Sequence, residues 1–125
     1  MQAPVIRRSD EIEYEAQSAA TGLKKGVLIG EAQDAPNFRM RRFTLEAGET
    51  VPKHTNEVEH EQYVLAGEYV VGIREDGVET EYTVEPGDSL LIPAGTVHWY
   101  RNTGDSNAAF ICVVPNGEDD IELVE

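Results

Sequence analysis

Short runs of apolar residues, separated by turn-forming residues, follow one another along most of this chain. From Val27 onward, β-branched and aromatic residues alternate with clusters of Gly, Pro, Asn and Asp. The clusters recur at intervals of roughly 8 to 12 residues, which is typical of an all-β sandwich or barrel. No window has the periodicity of a long amphipathic helix. We therefore predict an all-β fold with strands at 26–30, 38–46, 51–53, 60–66, 68–74, 78–84, 89–92, 97–102 and 108–114.

The strongest turn signal in the chain is Asp76-Gly77. It is flanked by the runs VVGIRE and VETEYTV, and both central residues of a type I′ turn need positive φ, which Asp and Gly tolerate. Turns are also expected at 86–88 and 93–95, where proline restricts φ and glycine tolerates unusual values. We assign these turn residues a structural role and no chemistry.

The two ends of the chain carry a weaker pattern. Residues 1–25 are polar and predict an N-terminal arm or an early edge strand, followed by one barrel domain over residues 26–115. Residues 116–125 form an acidic C-terminal tail, which is either a loose terminus or a last strand. A chain of 125 residues is long enough for one hydrophobic core and too short for two domains.

The charge of the chain limits its partners. The 24 acidic and 10 basic residues give a net charge of −14, which repels nucleic acid and anionic membranes, so that neither is an expected partner. The single cysteine, Cys112, excludes an intrachain disulfide and fits a reducing compartment. No apolar leader or membrane-spanning stretch is present in the sequence, and we predict a cytoplasmic protein.

The chain has three histidines, and all of them lie in two spaced motifs. The motifs are Gly48-x5-His54-x-Asn56-x3-His60-x6-Gly67 and Gly87-x5-Pro93-x-Gly95-x2-His98-x3-Asn102. His54 and Asn56 are two residues apart, so their side chains leave the same face of an extended segment. A turn at 57–59 would return His60 to that side, and barrel closure would bring His98 to it. Because first-row divalent ions need converging neutral imidazoles or carboxylates, we predict His54, His60 and His98 as metal ligands.

Asn56 leaves the coordination open. Its amide oxygen is a weaker ligand than imidazole, so it either binds the metal or leaves a position for water. A site of two histidines and one carboxylate would instead need Glu57, Glu59 or Glu61 to turn inward. Glu59 and Glu61 are out of phase with His60, and we expect them to form an acidic rim or to receive imidazole N–H groups.

Strand alternation predicts the pocket around this site. If His98 faces inward, Tyr100 does too, while Trp99 and Arg101 face away. With His60 inward, the inward positions of its strand are Gln62 and Val64.

The last main strand is apolar on both faces, so its phase is open between two sets. We favour Phe110, Cys112 and Val114 as pocket residues over Ile111 and Val113. Cys112 is interpreted as a small buried hydrophobic residue, because a reactive thiolate needs a cationic neighbour.

The segment Phe38-Arg39-Met40-Arg41-Arg42-Phe43 places three arginines in one strand of an acidic protein. These arginines either pair with surface carboxylates or, on the inner face, bind an anionic substrate carboxylate through both guanidinium nitrogens. Arg41 shares its face with Phe43 and Leu45 and is the candidate for the second role. With Tyr100, which could move a proton, it is a candidate catalytic residue.

The two histidine motifs together resemble the signature motifs of the cupin superfamily. In that pattern, two His and one Glu of the first motif and one His of the second point into a barrel at one divalent metal. Here Asn56 stands where the second His is usual, and His60 stands where the Glu is usual. The stretch VLIGEAQDAPNFRMRRFTLEAG is similar to the start of small single-domain manganese- or iron-binding cupins, and the resemblance covers about residues 26 to 115.

The resemblance implies a double-stranded β-helix, also called a jelly-roll or cupin barrel. It implies one divalent ion per chain, Mn or Fe, with Zn or Ni as alternatives, and His54, His60 and His98 as its ligands. It also implies a homodimer in which N-terminal strands pair or exchange, which would give the arm a purpose and cover barrel edges.

Function is diverse within such a family, so the fold does not settle the reaction. The first hypothesis is a metal-dependent oxidoreductase of dioxygenase type that acts on a small organic substrate. The second is a non-redox metal enzyme, an isomerase, epimerase or lyase, in which the metal polarises a carbonyl. The third is a small-molecule-binding protein without chemistry.

Overall fold

Two antiparallel β-sheets form the protein, and each contributes side chains to one shared core. The computed structural model describes residues 3–117 and 119–124. One sheet has the order β1-β2-β3-β10-β5-β8 and the other β11-β4-β9-β6-β7. The strands are β1 (Tyr14–Ala16), β2 (Leu23–Ile29), β3 (Phe38–Leu45), β4 (Thr50–Asn56), β5 (His60–Ala66), β6 (Tyr69–Glu75), β7 (Val78–Val84), β8 (Ser89–Ile92), β9 (His98–Arg101), β10 (Ala108–Pro115) and β11 (Ile121–Leu123), with 3₁₀ turns at Ser9–Glu11 and Glu31–Gln33. This arrangement confirms the predicted all-β jelly-roll barrel.

All nine strands predicted from the hydrophobic pattern are present. The strand expected at 51–53 is longer than predicted, and β4 extends to Asn56, which places His54 and Asn56 in one extended segment. The predicted hairpin is confirmed, since Asp76 and Gly77 have φ values of 50° and 77° and β6 pairs with β7 across them.

The ends of the chain form short strands at sheet edges. β1 pairs with β2, so part of the N-terminal segment is an edge strand, and β2 itself begins at Leu23, before the predicted strand start. In the acidic tail, β11 pairs with β4, so the described part of this segment contains a last strand. Among the described residues, no helix combines the length and the apolar character needed to cross a membrane.

The core lies between the two sheets. Val64 from the first sheet and Val71 from the second are fully buried, as are Leu45 and Val114 at 1% exposure each. Burial of such a side chain contributes about 1.5–3 kcal/mol relative to an exposed one. The outer face of the second sheet is more polar, and β7 is exposed along nearly its whole length, which is typical of a solvated edge strand.

The only tryptophan in the sequence packs on a glycine. Trp99 lies opposite Gly72 in the β6–β9 pair, on the other face of β9 from His98 and Tyr100. A Cβ atom on Gly72 would overlap the indole ring, so this glycine provides the space that keeps Trp99 at 8% exposure.

We therefore expect Gly72→Ala to lower the free energy of unfolding by about 2 kcal/mol through overpacking. Urea denaturation followed by Trp99 fluorescence measures this loss. Thr83→Ala, an exposed change on the neighbouring strand β7, is the control and should stay within about 0.5 kcal/mol of wild type. Equal stability of the two variants would contradict the packing described.

Candidate functional site

A cavity of about 200 Å³ lies between the sheets and contains the residues singled out from the sequence. Nine of the predicted site and pocket residues line it: Arg41, His54, Asn56, His60, Gln62, His98, Tyr100, Phe110 and Cys112. The other two predicted pocket residues, Val64 and Val114, face inward but belong to the hydrophobic core. Strand alternation predicts the inward face and does not distinguish cavity wall from core, which accounts for this difference.

His54 and His98 form the centre of the cavity wall. They are opposite each other in the β4–β9 pair, and their ring centroids are 4.2 Å apart. The Nδ1–H of His54 donates to the Pro52 carbonyl and that of His98 to the Thr96 carbonyl, each at 2.8 Å. With the proton on Nδ1, Nε2 carries the lone pair of each ring, which is the tautomer that a metal ligand needs. Nε2 of His98 is buried and has no hydrogen-bond partner in the described part of the chain.

Asn56 adds an oxygen to this pair. Its Oδ1 atom is buried and has no hydrogen-bond partner, and it lines the same cavity two residues after His54. A buried polar atom without a partner is costly, so such an atom often marks a site that a ligand completes.

His60 has a different environment, because both of its ring nitrogens are engaged. Its Nε2 lies 2.9 Å from Asp119 Oδ2, and its Nδ1 lies 3.1 Å from Cys112 Sγ. Asp119 Oδ1 also accepts a hydrogen bond from the Val58 amide at 3.4 Å. The Asp119 carboxylate therefore orients the His60 ring, and the Cys112 thiol donates to the nitrogen that carries the lone pair.

Asp119 is a site residue that the sequence reasoning missed. It lies in the acidic tail, two residues before β11 begins, and the pairing of β11 with β4 brings it to the cavity. The available signal was the apolar end of the tail, Ile121-Glu122-Leu123-Val124, which is compatible with a last strand. One strand pairing cannot be derived from a pattern this short.

The donor set fits a divalent ion in part. Two open imidazole nitrogens and the Asn56 oxygen face the cavity, and these are acceptable donors for first-row ions. Among residues 3–117 and 119–124, no group of three or more His, Cys, Asp or Glu side chains is arranged to hold a metal ion. Glu57, Glu59 and Glu61 are exposed. Coordination by His60 would require exchange of its contact with Asp119 or Cys112, and its role as a ligand stays a prediction.

Burial keeps the three imidazoles neutral. It lowers the pKa of His54 and of His60, although the nearby Asp119 carboxylate acts in the opposite direction. Burial and the adjacent His54 lower the pKa of His98 to about 4. Neutral imidazole is the form that binds a metal, so the site is in its ligand state at neutral pH.

Tyr100 and Gln62 form a buried polar pair beside the histidines. Gln62 Nε2 donates to the Tyr100 hydroxyl oxygen at 2.6 Å, and the Tyr100 ring centroid is 5.5 Å from that of His98. Burial raises the pKa of Tyr100 far above its usual range. The hydroxyl therefore keeps its proton and can donate it to a group in the cavity.

Arg41 faces the cavity, as predicted from its strand phase, and contacts Cys112. It is 7% exposed, and its Nη2 donates to Cys112 Sγ at 3.2 Å. The sequence interpretation of Cys112 assumed no cationic neighbour, whereas the structure provides one. Burial nevertheless raises the pKa of Cys112 against the effect of Arg41, which favours the neutral thiol.

The lowered pKa of His98 predicts a pH-dependent stability. An unfolded histidine takes up its proton near pH 6.5, whereas His98 in the folded protein does so only near pH 4. The stability is fully present above about pH 6.5 and is lost, on the order of 3 kcal/mol, as the pH falls towards 4. Urea denaturation across this range should therefore show a larger loss for wild type than for His98→Gln. Parallel losses in the two proteins would rule out this origin.

Comparison with known proteins identifies the family. The profile of the family described as "Cupin domain" matches residues 41–114, which is more than half of the chain. A comparison with curated proteins found no match.

Solved structures with the same fold include three informative ones. The polyketide cyclase RemF from Streptomyces resistomycificus is 26% identical, with a TM-score of 0.83 over 100% of this chain and 87% of that protein. A cupin-2 domain from Rhodospirillum rubrum is 18% identical, with a TM-score of 0.82 over 100% and 83% of the two chains. An oxalate decarboxylase from Lactobacillus farciminis is 18% identical, with a TM-score of 0.77 over 92% of this chain and 34% of the enzyme. Together with the family match and the barrel, these similarities show that the chain belongs to the cupin domain family.

Proposed function

We propose that the protein is a metal-dependent enzyme that moves protons on a small carbonyl compound, as a cyclase, isomerase or lyase does. The observation that carries the proposal is that one cavity contains metal-ligand atoms, a proton donor and a proton acceptor. Two imidazoles present open Nε2 atoms, Tyr100 presents a retained proton, and the His60–Asp119 pair presents a proton acceptor. Enolisation next to a carbonyl needs these three functions together.

His54, His98 and Asn56 are the residues that would hold one divalent ion. Their free donors are neutral, so the ion would keep its full charge and retain coordination positions for other ligands. When bound, such an ion supplies Lewis-acid polarisation of a carbonyl oxygen.

Tyr100 acts on the oxygen of the substrate carbonyl. Its hydroxyl oxygen accepts from Gln62, which leaves the O–H group to donate to the negative charge that develops on the substrate oxygen. A donor that is held in place inside a buried site needs no reorganisation when the charge appears.

The His60–Asp119 pair acts on the carbon next to the carbonyl. The proton of that carbon moves to His60 Nδ1 in place of the contact with Cys112, the C–H electron pair becomes the enolate, and Asp119 stabilises the resulting imidazolium through Nε2–H. Return of the proton from His60 at another carbon completes an isomerisation. In a cyclisation the enolate carbon bonds to a second carbonyl carbon, and the resulting alkoxide takes the proton back from His60.

The size of the cavity and one relative support the substrate class. About 200 Å³ is below the roughly 300–1,000 Å³ of pockets for drug-sized ligands, so the substrate is small. Phe43 and Phe110 provide apolar, stacked walls. RemF is a polyketide cyclase, and its 26% identity with this protein covers 100% of this chain and 87% of RemF. Cyclisation of a polycarbonyl chain proceeds by enolisation.

A dioxygenase-type oxidoreductase, the first hypothesis from the sequence, is the second candidate. The neutral donor set favours it, because a redox-active iron or manganese ion with open positions is the general requirement for oxygen chemistry. Oxygen uptake separates the two candidates, since proton transfer consumes no oxygen.

The primary test is hydrogen exchange on small ketones and keto acids in D₂O, followed by NMR with the metal-loaded protein. We expect wild type to accelerate exchange at the carbon next to the carbonyl without oxygen uptake. Tyr100→Phe should slow it by roughly 10²-fold with unchanged metal content, and Tyr82→Phe, an exposed tyrosine, should not. Exchange no faster than in buffer, or equal rates in Tyr100→Phe and wild type, would refute the proposal, and oxygen uptake with these compounds would favour the oxidoreductase.

Asp119→Asn tests the proton acceptor separately. Loss of the carboxylate removes the charge that stabilises the protonated His60, so we expect exchange to slow by roughly 10-fold or more. His60→Asn should slow exchange at least as much, and the double variant should be no slower than His60→Asn, because the two residues act as a unit. Independent, multiplicative losses would contradict the pairing.

A further inference from the structure

Two cationic side chains line the cavity although the protein as a whole is strongly acidic. Arg41 on β3 and Lys25 on β2 both line the cavity. Lys25 lies opposite Phe43 in the β2–β3 pair, and Val27 lies opposite Arg41, so the two cationic side chains are diagonal neighbours on one face of the sheet. A net charge of −14 makes two cations facing the same cavity an unexpected arrangement.

The Arg41 guanidinium is buried and has no anionic partner among residues 3–117 and 119–124. Its Nε atom is buried and has no hydrogen-bond partner, while Nη2 donates only to the weak acceptor Cys112 Sγ. The charge also lies 5.2 Å from the centre of the Phe43 ring. Among the described residues, the ion pairs involve Lys53, Arg74, Arg101 and His60, and neither Arg41 nor Lys25 takes part in one.

The carboxylate that lines the cavity already has other partners. Asp119 lines the same cavity, but its two oxygens bind His60 Nε2 and the Val58 amide. A buried charge without a counter-ion costs several kcal/mol, and a ligand that provides the missing charge would offset this cost.

We propose that Arg41 and Lys25 form the binding site for the carboxylate group of a small organic acid. The planar guanidinium fork matches a carboxylate, and the adjacent Phe43 and Phe110 rings fit an unsaturated or aromatic body. Cys112 Sγ contacts both Arg41 and His60. A carboxylate bound by Arg41 would therefore lie on the side of the cavity that holds the proton acceptor. The inference names the substrate class of the proposed enzyme and rests on that proposal for its catalytic meaning, whereas the binding itself does not depend on turnover.

Paired probes of equal shape test the site. Benzoate and benzamide differ in charge, and calorimetric titration into the full-length protein, with metal content measured, gives the dissociation constant of each. We expect benzoate to bind about tenfold or more tightly than benzamide, as a charged hydrogen-bonded pair implies. Inorganic phosphate, which the guanidinium could also accept, should bind more weakly than benzoate because the aromatic walls give it no contact.

Substitutions assign the preference to Arg41. Arg41→Met should abolish the benzoate preference at unchanged metal content, and Arg41→Lys should retain part of it. Arg42→Met is the matched control, because Arg42 is the next residue on the opposite face of β3, and it should bind both probes as wild type does. Equal binding of the two probes by wild type, tighter binding of phosphate, or a preference that survives in Arg41→Met would overturn the assignment.

Stability provides a second readout that a purely structural arginine would not give. Arg41→Met removes an unpaired buried charge, so we expect its melting temperature without ligand to equal or exceed that of wild type, and benzoate to stabilise wild type only. A clear fall in the melting temperature of Arg41→Met would assign the residue to the fold and overturn the proposal. If the carboxylate preference holds while Tyr100→Phe leaves hydrogen exchange unchanged, only the proposed reaction fails. The reverse pattern rejects only the carboxylate site.

Discussion

The site depends on two buried imidazoles, each of which donates its Nδ1–H to a backbone carbonyl. The carbonyls of Pro52 and Thr96 each accept Nδ1–H from the histidine two residues later, so the same local geometry occurs on β4 and on β9. Pairing of these strands places the rings next to each other, with centroids 4.2 Å apart and planes tilted by 54°. Burial then keeps the rings neutral, and the two Nε2 lone pairs face the cavity in the state that a metal requires.

The barrel around this pair separates charges by position. The surface carries the excess of carboxylates, while the cavity contains neutral imidazoles, one committed carboxylate and two cations on β2 and β3. A low-dielectric cavity strengthens the electrostatic interactions of these groups relative to water. The proposed carboxylate substrate needs such an arrangement in an acidic protein, because attraction inside the cavity would offset the repulsion at the surface.

Much of this architecture follows from the sequence. Period-two alternation predicted the strands and the inward positions of His54, His98, Tyr100 and Arg41, since a strand with one buried face has a fixed phase. Two features lay beyond that reasoning. Alternation cannot tell Val64 in the core from Gln62 on the cavity wall, and local patterns carry no information about which distant segment supplies Asp119. Both depend on barrel closure, which is a property of all strands together.

Barrel closure also gives His60 an environment that its spacing in the motif does not predict. Its position in the first motif is that of a ligand, but a carboxylate from the C-terminal segment meets its Nε2 in the folded chain. Both ring nitrogens of His60 are thereby engaged, by Asp119 and by Cys112. The cavity then contains two neighbouring imidazoles and a third imidazole that is paired with a carboxylate, which is the division of roles that the proposed chemistry needs.

A nitrogen-detected NMR titration of the three histidine rings with Zn²⁺ tests the central claim most directly. In protein labelled with ¹⁵N-histidine, His54 and His98 should begin as Nδ1–H tautomers, and Zn²⁺ should shift their Nε2 resonances together while both Nδ1–H signals persist. His60 should keep its Nε2–H signal throughout. A titration in which Zn²⁺ shifts neither His54 nor His98, or shifts His60 alone, would contradict the account.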